Sequence, residues 1–310
     1  MKEENKDIRL HLGNVSLDVN LGSYYIDMRP AMIHYTDNIY NGKFDAQGVP
    51  MCGFELGVFS YFPINIAQYG FMLHAEWLKS KDESLLTTLK ACIERLELLK
   101  TETETSCVWY HHHYESKYKI SAPWASAMAQ GECISFYLRM YQLLGDDKYL
   151  KTAWKAYQFL DLDVKEGGVK RIDQDGNLWY EEYPSEPPSY VLNGFIYTMF
   201  GLYDLFRVTG SQEVQTNIDK CIKTLKDNLH KFDAGYWSYY DLLKKELVRY
   251  YYQKNVHLPQ LQVLHVLTKE PIFQYFAQRW EKQLTPWNYF LVKIMYRILP
   301  RWKAKKLFLN

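Results

Sequence analysis

Three stretches of the chain bring acids and phenols close enough together to move protons. The longest is WYEEYPSEPPSYVLNGFIYTMFGLYDL (179–205), where Glu181 and Glu182 sit between Tyr180 and Tyr183 and prolines follow at 184, 187 and 188. The second is GYWSYYDL (235–242), with Tyr240. The third is RYYYQKNVHLPQL (249–261), where Tyr250, Tyr251 and Tyr252 precede His257. A carboxylate such as Glu182 can act as a base or hold a tyrosine in place. Tyrosine, with a pKa of about 10, can serve as acid or base if a cationic neighbour lowers it. The same residue types also build solvated loops, groove walls and helix caps, and that reading stays open for Glu181, Glu182, Tyr240, Tyr252 and His257. The run His111-His112-His113 invites a metal, but adjacent histidines in a strand point to alternate faces, so no metal site is expected there.

These stretches belong to a repeating frame. Four segments share one outline: a small or polar start, an amphipathic helix, a short polar break and a second helix. They begin at IAQYGFMLHAEWL (66–78), MAQGECISFYLRMYQLL (128–144), VLNGFIYTMFGLYDLF (191–206) and LPQLQVLHVL (258–267). Gln68, Gln130, Asn193 and Gln260 hold matching places 62 to 67 residues apart. The breaks KSKDES, GDDKYL, GSQEV and TKEPIF match as well, each reading as a helix stop followed by a new start. Apolar residues three and four apart, such as Ile134, Leu138, Tyr141 and Leu144, give the helical period. Repeated helical hairpins with long links predict a mainly all-α chain folded as an (α/α) toroid, with inner and outer helices alternating. The links 101–127, 161–190 and 230–257, rich in Gly, Pro, Trp and Tyr, are expected to carry short β-hairpins and function. Residues 1–60 read as short strands wrapping the toroid, 61–284 as the toroid itself, and 285–310 as a basic amphipathic tail.

Composition narrows the function. Lys plus Arg (37) balance Asp plus Glu (36), so no global field recruits nucleic acid. The 27 Tyr, 15 Phe and 9 Trp suit a partly wet groove in which sugar rings stack, although core packing would also use them. Five scattered cysteines without a C-x-x-C pair argue against a disulfide framework, and the polar N-terminus has no apolar leader core. Together these favour a cytoplasmic protein.

SAMAQGE (126–132), the 179–205 stretch, YYDL and YYYQKNVHLPQLQVL…FAQRW together resemble the C-terminal catalytic domain of the heparosan/heparan sulfate glucuronyl 5-epimerases. The match runs from about Tyr61 to Trp280 and includes YFPINIAQYG (61–70). It suggests a short, bacterial-type member without the β-sandwich inserted in animal enzymes. The resemblance implies an (α/α) toroid with a groove for an acidic, glucuronate-containing glycan, and a reaction that removes and returns the carbon-5 proton to give iduronate. It places the catalytic Glu-Tyr pair on Glu182 and Tyr183, the Tyr of Tyr-Asp-Leu on Tyr240, and a further tyrosine on Tyr252. Tyr61, Tyr69, Gln130, Tyr180, Glu181, Asn193, Arg249 and His257 become candidates for binding substrate. The chain departs from the family twice. The family has tyrosine four residues before the histidine, whereas Tyr252 lies five before His257; a one-residue insertion would account for this, and Tyr250 and Tyr251 remain candidates. The family's substrate-binding Arg after Tyr-Asp-Leu is Leu243, which leaves Lys244, Arg249, Lys254 or a residue elsewhere to meet a carboxylate. Proton removal beside a carboxylate needs that carboxylate neutralised, with a base on one face and an acid on the other, and requires no metal or organic cofactor.

A polysaccharide lyase, an inverting glycoside hydrolase and a non-catalytic glycan-binding protein are the alternatives. The sequence leaves open whether two copies form a homodimer. The tail TPWNYFLVKIMYRILPRWKAKKLFLN carries six cations and an apolar stripe of Trp287, Phe290, Leu291, Ile294, Met295, Ile298 and Leu299. The stripe is too short to span a bilayer, so it predicts either docking on an anionic membrane surface or capsule-synthesis machinery, or packing on the toroid.

Overall fold

The computed structural model describes residues 8–36, 42–55 and 58–295. Among them, helices of eleven residues or more form four hairpins: α1 (Pro63–Ser80) with α2 (Glu83–Leu99), α3 (Ala127–Leu144) with α4 (Asp147–Leu160), α5 (Leu192–Thr209) with α6 (Gln212–Asn228), and α7 (Leu258–Thr268) with α8 (Pro271–Lys282). The four breaks seen in the sequence share one device. Each first helix ends on a left-handed residue, Lys81, Gly145, Gly210 or Lys269, whose N–H returns to the last turn. In three of the four, a side chain then caps the next helix: Asp82 accepts from Ser84 N, Asp146 from Lys148 N and Ser211 from Val214 N.

The first helix of each pair lies inside and the second outside. In α3 every residue from Ala127 to Met140 is buried, and in α5 every residue from Leu192 to Leu205. Helix α6 buries only a stripe that includes Val214, Ile218, Cys221 and Leu225. Contacts between inner helices join residues about one repeat apart: Gln68 to Glu132, Gly70 to Phe136, Arg139 to Asp204, and Asn193 to Gln260. The inner helices therefore run parallel, with their starts at one end of the ring, as an (α/α) toroid requires. Helices α3 and α5 cross closely because glycine leaves room. A Cβ on Gly131 would come 2.5 Å from the Thr198 Cα, and one on Gly201 would come 2.4 Å from the Gly131 carbonyl oxygen.

Part of the N-terminal region goes inside the ring rather than around it. Tyr24 stacks on Phe71 with ring centres 3.9 Å apart, and Tyr25 packs 5.0 Å from Phe200. Asp204, fully buried, pairs with Arg139 (2.6 Å) and Arg207 (3.2 Å). Both guanidiniums also donate to segment carbonyls, Arg207 to Asp18 and Asn20 and Arg139 to Gly22. This clamp fixes the segment at the end of the ring away from the helix starts. A three-stranded sheet (Gly42–Phe44, Pro50–Glu55, Val58–Ser60) leads into α1.

The links carry short antiparallel pairs: Thr101–Glu102 with Cys107–Val108, Tyr110–His111 with Trp124–Ala125, and Lys170–Ile172 with Leu178–Tyr180. The third link, where hairpins were also expected, holds single bridges such as Tyr239 to Leu247 instead. Residues 286–295 are helical, and the rest of the basic tail lies outside the described residues. This helix seats Val292 against Trp237 and Val248 and lays Tyr289 4.5 Å from Tyr250. Trp287, Phe290 and Met295, from the predicted stripe, remain exposed on its other side.

Candidate active site

The second link turns a strand into a helix start, and that turn separates two neighbouring glutamates. After Leu178–Tyr180, the Glu181 N–H donates to the Val169 carbonyl and the Glu181 carbonyl accepts from Ala127 N. Glu181 then points one way, into an ion pair with Arg171 (3.2 Å) and bonds from Ser189 Oγ (2.8 Å) and Tyr190 N (3.0 Å). It anchors the loop, including left-handed Tyr190 at φ +47°. Glu182 points the other way, onto the first turn of α5, where a Cβ on Gly194 would meet its Oε2 at 2.2 Å. Only glycine admits the carboxyl there, close to a helix start that carries partial positive charge and has no side-chain cap of its own.

The third link joins the second edge to edge. Leu192 N donates to the Tyr240 carbonyl and Leu242 N to the Ser189 carbonyl. This registration brings the Tyr240 hydroxyl to Glu182 Oε1 at 3.1 Å. Tyr183 stacks on Tyr118 (4.7 Å, 29°) and packs against Trp124 (5.5 Å). The Tyr118 hydroxyl donates to Asp241 Oδ2 at 2.9 Å. Tyr252 sets its ring edge-on to Tyr240 at 5.7 Å. Glu182, Tyr183, Tyr240 and Tyr252 thus form one cluster, to which Asn193 belongs through its effect on Glu182.

Burial raises Glu182 from 4.5 to about 7, against the pull of bonds from Tyr240 and Tyr183, the Lys117 charge and Asn193. A carboxyl raised into this range is suited to take a proton. Glu181 is likewise raised to about 7 by burial, with Ser189, Arg171 and Tyr190 opposing. Tyr183, Tyr240 and Tyr252 are all pushed well above 10, by burial first and the Glu182 charge second. A cation does stand by, but burial outweighs it. The tyrosines are therefore neutral donors, and the only group of the cluster ready to act as base is the carboxyl.

The other predicted site residues have partners of their own. The Tyr61 hydroxyl donates to Asp45 (2.7 Å) beside Arg95, and Tyr69 packs on Tyr35 and Phe44. Gln130 is fully buried and clasps the first link, donating to the Cys107 and Ala156 carbonyls and accepting from Trp109 N. Tyr180 is a core residue against Phe195. Arg249 is exposed at the start of the Tyr250–Tyr252 turn. His257 is fully buried with Nδ1 3.0 Å from Ser238 Oγ, and burial depresses it to about 3, so it supports Tyr252 as a neutral ring 5.5 Å away. His111 packs between Phe62 and Trp124 and is also depressed to about 3 by burial.

Sequence reasoning missed three members of the site. Glu132, fully buried on α3, accepts from Gln68 at 2.9 Å and is raised by burial and by Glu182. Its signal was its place in the SAMAQGE stretch. Asp241, fully buried, follows Tyr240 directly. Lys117 lies over the Tyr240 ring at 4.3 Å and had no signal at all.

The family model described as "D-glucuronyl C5-epimerase C-terminus" matches residues 102–282, more than half of the chain. The chain belongs to that family. It is 36% identical over 184 residues to a D-glucuronyl C5-epimerase of Caenorhabditis elegans, covering 54% of this chain and 30% of the worm protein. It is 31% identical over 181 residues to an uncharacterized protein of Methanocaldococcus jannaschii, covering 57% of this chain and 58% of that protein. The chain thus spans less than two thirds of either relative. A GH76 α-mannanase of Bacteroides thetaiotaomicron shares the fold, with a TM-score of 0.51 at 9% identity over 78% of this chain and 63% of the mannanase.

One departure from the C5-epimerase pattern has a structural account. The five-residue gap between Tyr252 and His257 is spanned by a π-helical turn, Gln253–His257, in which Leu258 N donates to the Gln253 carbonyl five residues back. A π turn takes up one extra residue without rotating the flanking faces, so Tyr252 and His257 stay on one side. Tyr250 instead packs on Trp237 and Tyr289, and Tyr251 is 40% exposed.

Proposed function

We propose that this chain epimerises uronate residues of an acidic polysaccharide at carbon 5, converting D-glucuronate to L-iduronate in an unsulfated, heparosan-type polymer. The observation that carries this reading is the hydrogen bond from Tyr240 to the buried Glu182 within a cluster of half-buried phenols. Glu182 takes the carbon-5 proton, and the electron pair moves into the adjoining carboxylate as an enediolate. A neutral phenol, Tyr183 or Tyr252, returns a proton to the opposite face, and exchange with solvent through the hydroxyls restores both groups. Glu182 cannot serve both faces, which is why the neutral state of the tyrosines matters. The test is incubation with heparosan-type polymer in heavy water: deuterium should enter carbon 5 without chain cleavage. Shortened chains or a new ultraviolet band with no deuterium would transfer the reaction to a hydrolase or a lyase. Glu132 supports the hydrolase as a second reading by giving a second carboxyl near Glu182, but it lies fully buried behind Gln68.

The tail helix fits an enzyme held at the surface where such a polymer is made. Its inward side is occupied by Tyr289 and Val292, and its exposed side carries Trp287, Phe290 and Met295. Among the described residues no helix is long and apolar enough to cross a membrane. We therefore read the tail as a surface contact to an anionic leaflet on the cytoplasmic side.

A further inference from the structure

A base beside a uronate is useless unless something positive meets the carboxylate that receives the electron pair. In this chain the residue after Tyr240-Asp241-Leu242 is Leu243, which brings no charge. The cations near the cluster differ in what they do. Arg171 faces away and is held by Glu181 (3.2 Å) and Glu186 (2.7 Å). Lys244 is exposed, and Arg249 is exposed at the start of a neighbouring turn. Lys117 sits on the reactive phenols: its Nζ lies 4.3 Å from the Tyr240 ring centre and 5.1 Å from that of Tyr118, and its charge favours ionised Glu182.

Its present partners are unequal. Asp241 is fully buried: its Oδ2, 3.1 Å from Lys117, also accepts from the Tyr118 hydroxyl and its Oδ1 accepts from Lys244 N, so it is a fixed part of the site. Glu246 Oε2, also at 3.1 Å, has a side chain 46% exposed, while that of Lys117 is 29% exposed. Of the two, the exposed Glu246 carboxylate is the one that can give way to a carboxylate from solvent, and the exchange is chemically even: one carboxylate for another on the same ammonium.

We infer that Lys117 binds the carboxylate of the uronate residue undergoing reaction, and that Glu246 occupies that subsite until substrate displaces it. The inference deepens the epimerase reading and rests on it for the identity of the ligand. The charge that meets the acidic sugar would then come from the first link, with Leu243 in the third link supplying none. A lysine whose only task was to neutralise Asp241 would not need an exposed second carboxylate in reach.

The experiment uses the full chain and two probes, a glucuronate polymer and the same polymer with its carboxyls reduced to primary alcohols. Calorimetry should show that the unaltered protein prefers the acidic polymer, and that Lys117→Met reduces this preference about tenfold to a hundredfold, the worth of one charge-assisted hydrogen bond. Lys117→Arg should retain most of it. Glu246→Gln should move affinity the opposite way, tightening the acidic polymer and leaving the reduced one unchanged. Leu243→Arg placed in the Lys117→Met protein should restore part of the preference. Unaltered discrimination in folded Lys117→Met, or no tightening in Glu246→Gln, overturns the assignment of this subsite. If Lys117→Met does not fold, the Glu246→Gln arm decides alone. Carbon-5 deuterium exchange is read on the same samples. Discrimination without any exchange in the unaltered protein would sink the epimerase reading while keeping the carboxylate subsite, and exchange with no dependence on Lys117 would do the reverse.

Discussion

Glu182→Gln separates the chemistry of the site from its cost to the fold. Glutamine keeps the shape and an oxygen for the Tyr240 hydroxyl but cannot ionise. The native carboxyl, 4% exposed, is raised from 4.5 to about 7 by burial. A group whose pKa rises on folding binds its proton more tightly in the native state. Its contribution to stability is therefore complete below about pH 4.5 and is lost as pH climbs through about 7. A difference of roughly 2.5 units at about 1.4 kcal/mol each makes this loss about 3 kcal/mol by pH 8, of which under 1 is already lost at pH 5. Glutamine suffers no such loss. Urea unfolding should thus show Glu182→Gln gaining about 2 kcal/mol on the unaltered protein between pH 5 and pH 8. That corresponds to a few degrees in Tm for a chain of this size. The variant should lose carbon-5 exchange at every pH, whereas the unaltered protein's rate should rise through about pH 7. An equal stability offset at pH 5 and pH 8 would show that Glu182 titrates normally in the native state, and the assignment of the base would go with it.

Other substitutions test other parts of the design. Tyr183→Phe and Tyr240→Phe should each lower exchange by about 10²-fold with the unfolding midpoint nearly unchanged, and retained activity in both would make these hydroxyls structural. Asp204→Asn strands two buried guanidiniums and should cost about 3–5 kcal/mol in chemical unfolding; a loss under 1 kcal/mol would mean the clamp is not needed. Removing the chain after Pro286 should abolish sedimentation with anionic vesicles and spare exchange on soluble polymer. Equal partitioning of the full chain to anionic and neutral vesicles would sink the membrane contact.

The repeat frame was legible because it is local. Matching Gln and Asn positions, helical periods and polar breaks are all written within short windows, and the breaks turned out to be left-handed caps followed by new helix starts. The Glu182-Tyr183 pair and Tyr240 were legible as motifs. What could not be read was which acid faces which way, since Glu181 and Glu182 differ only in what the fold places against them. Gln130 and Tyr180 looked like groove residues because polar and aromatic types are ambiguous between a wet wall and a satisfied core. Lys117 was invisible because its significance comes from a link more than 100 residues from Tyr240, joined to it only in three dimensions. The extra residue before His257 read as a misplacement until the π turn absorbed it.

The buried clamp also bears on the order in which the molecule can be built. Tyr24 and Tyr25 leave the ribosome before any toroid helix, yet their partners include Phe200 and a guanidinium 182 residues further on. Helical hairpins can form as they are made, because each closes over its own short break. The centre of the ring cannot, since the first-made segment must be held until α5 exists to enclose it. Such distant closure is slow relative to local helix formation. The chain should therefore pass through a stage with hairpins formed and the centre open, when the apolar faces of α3 and α5 are the surfaces most in need of protection.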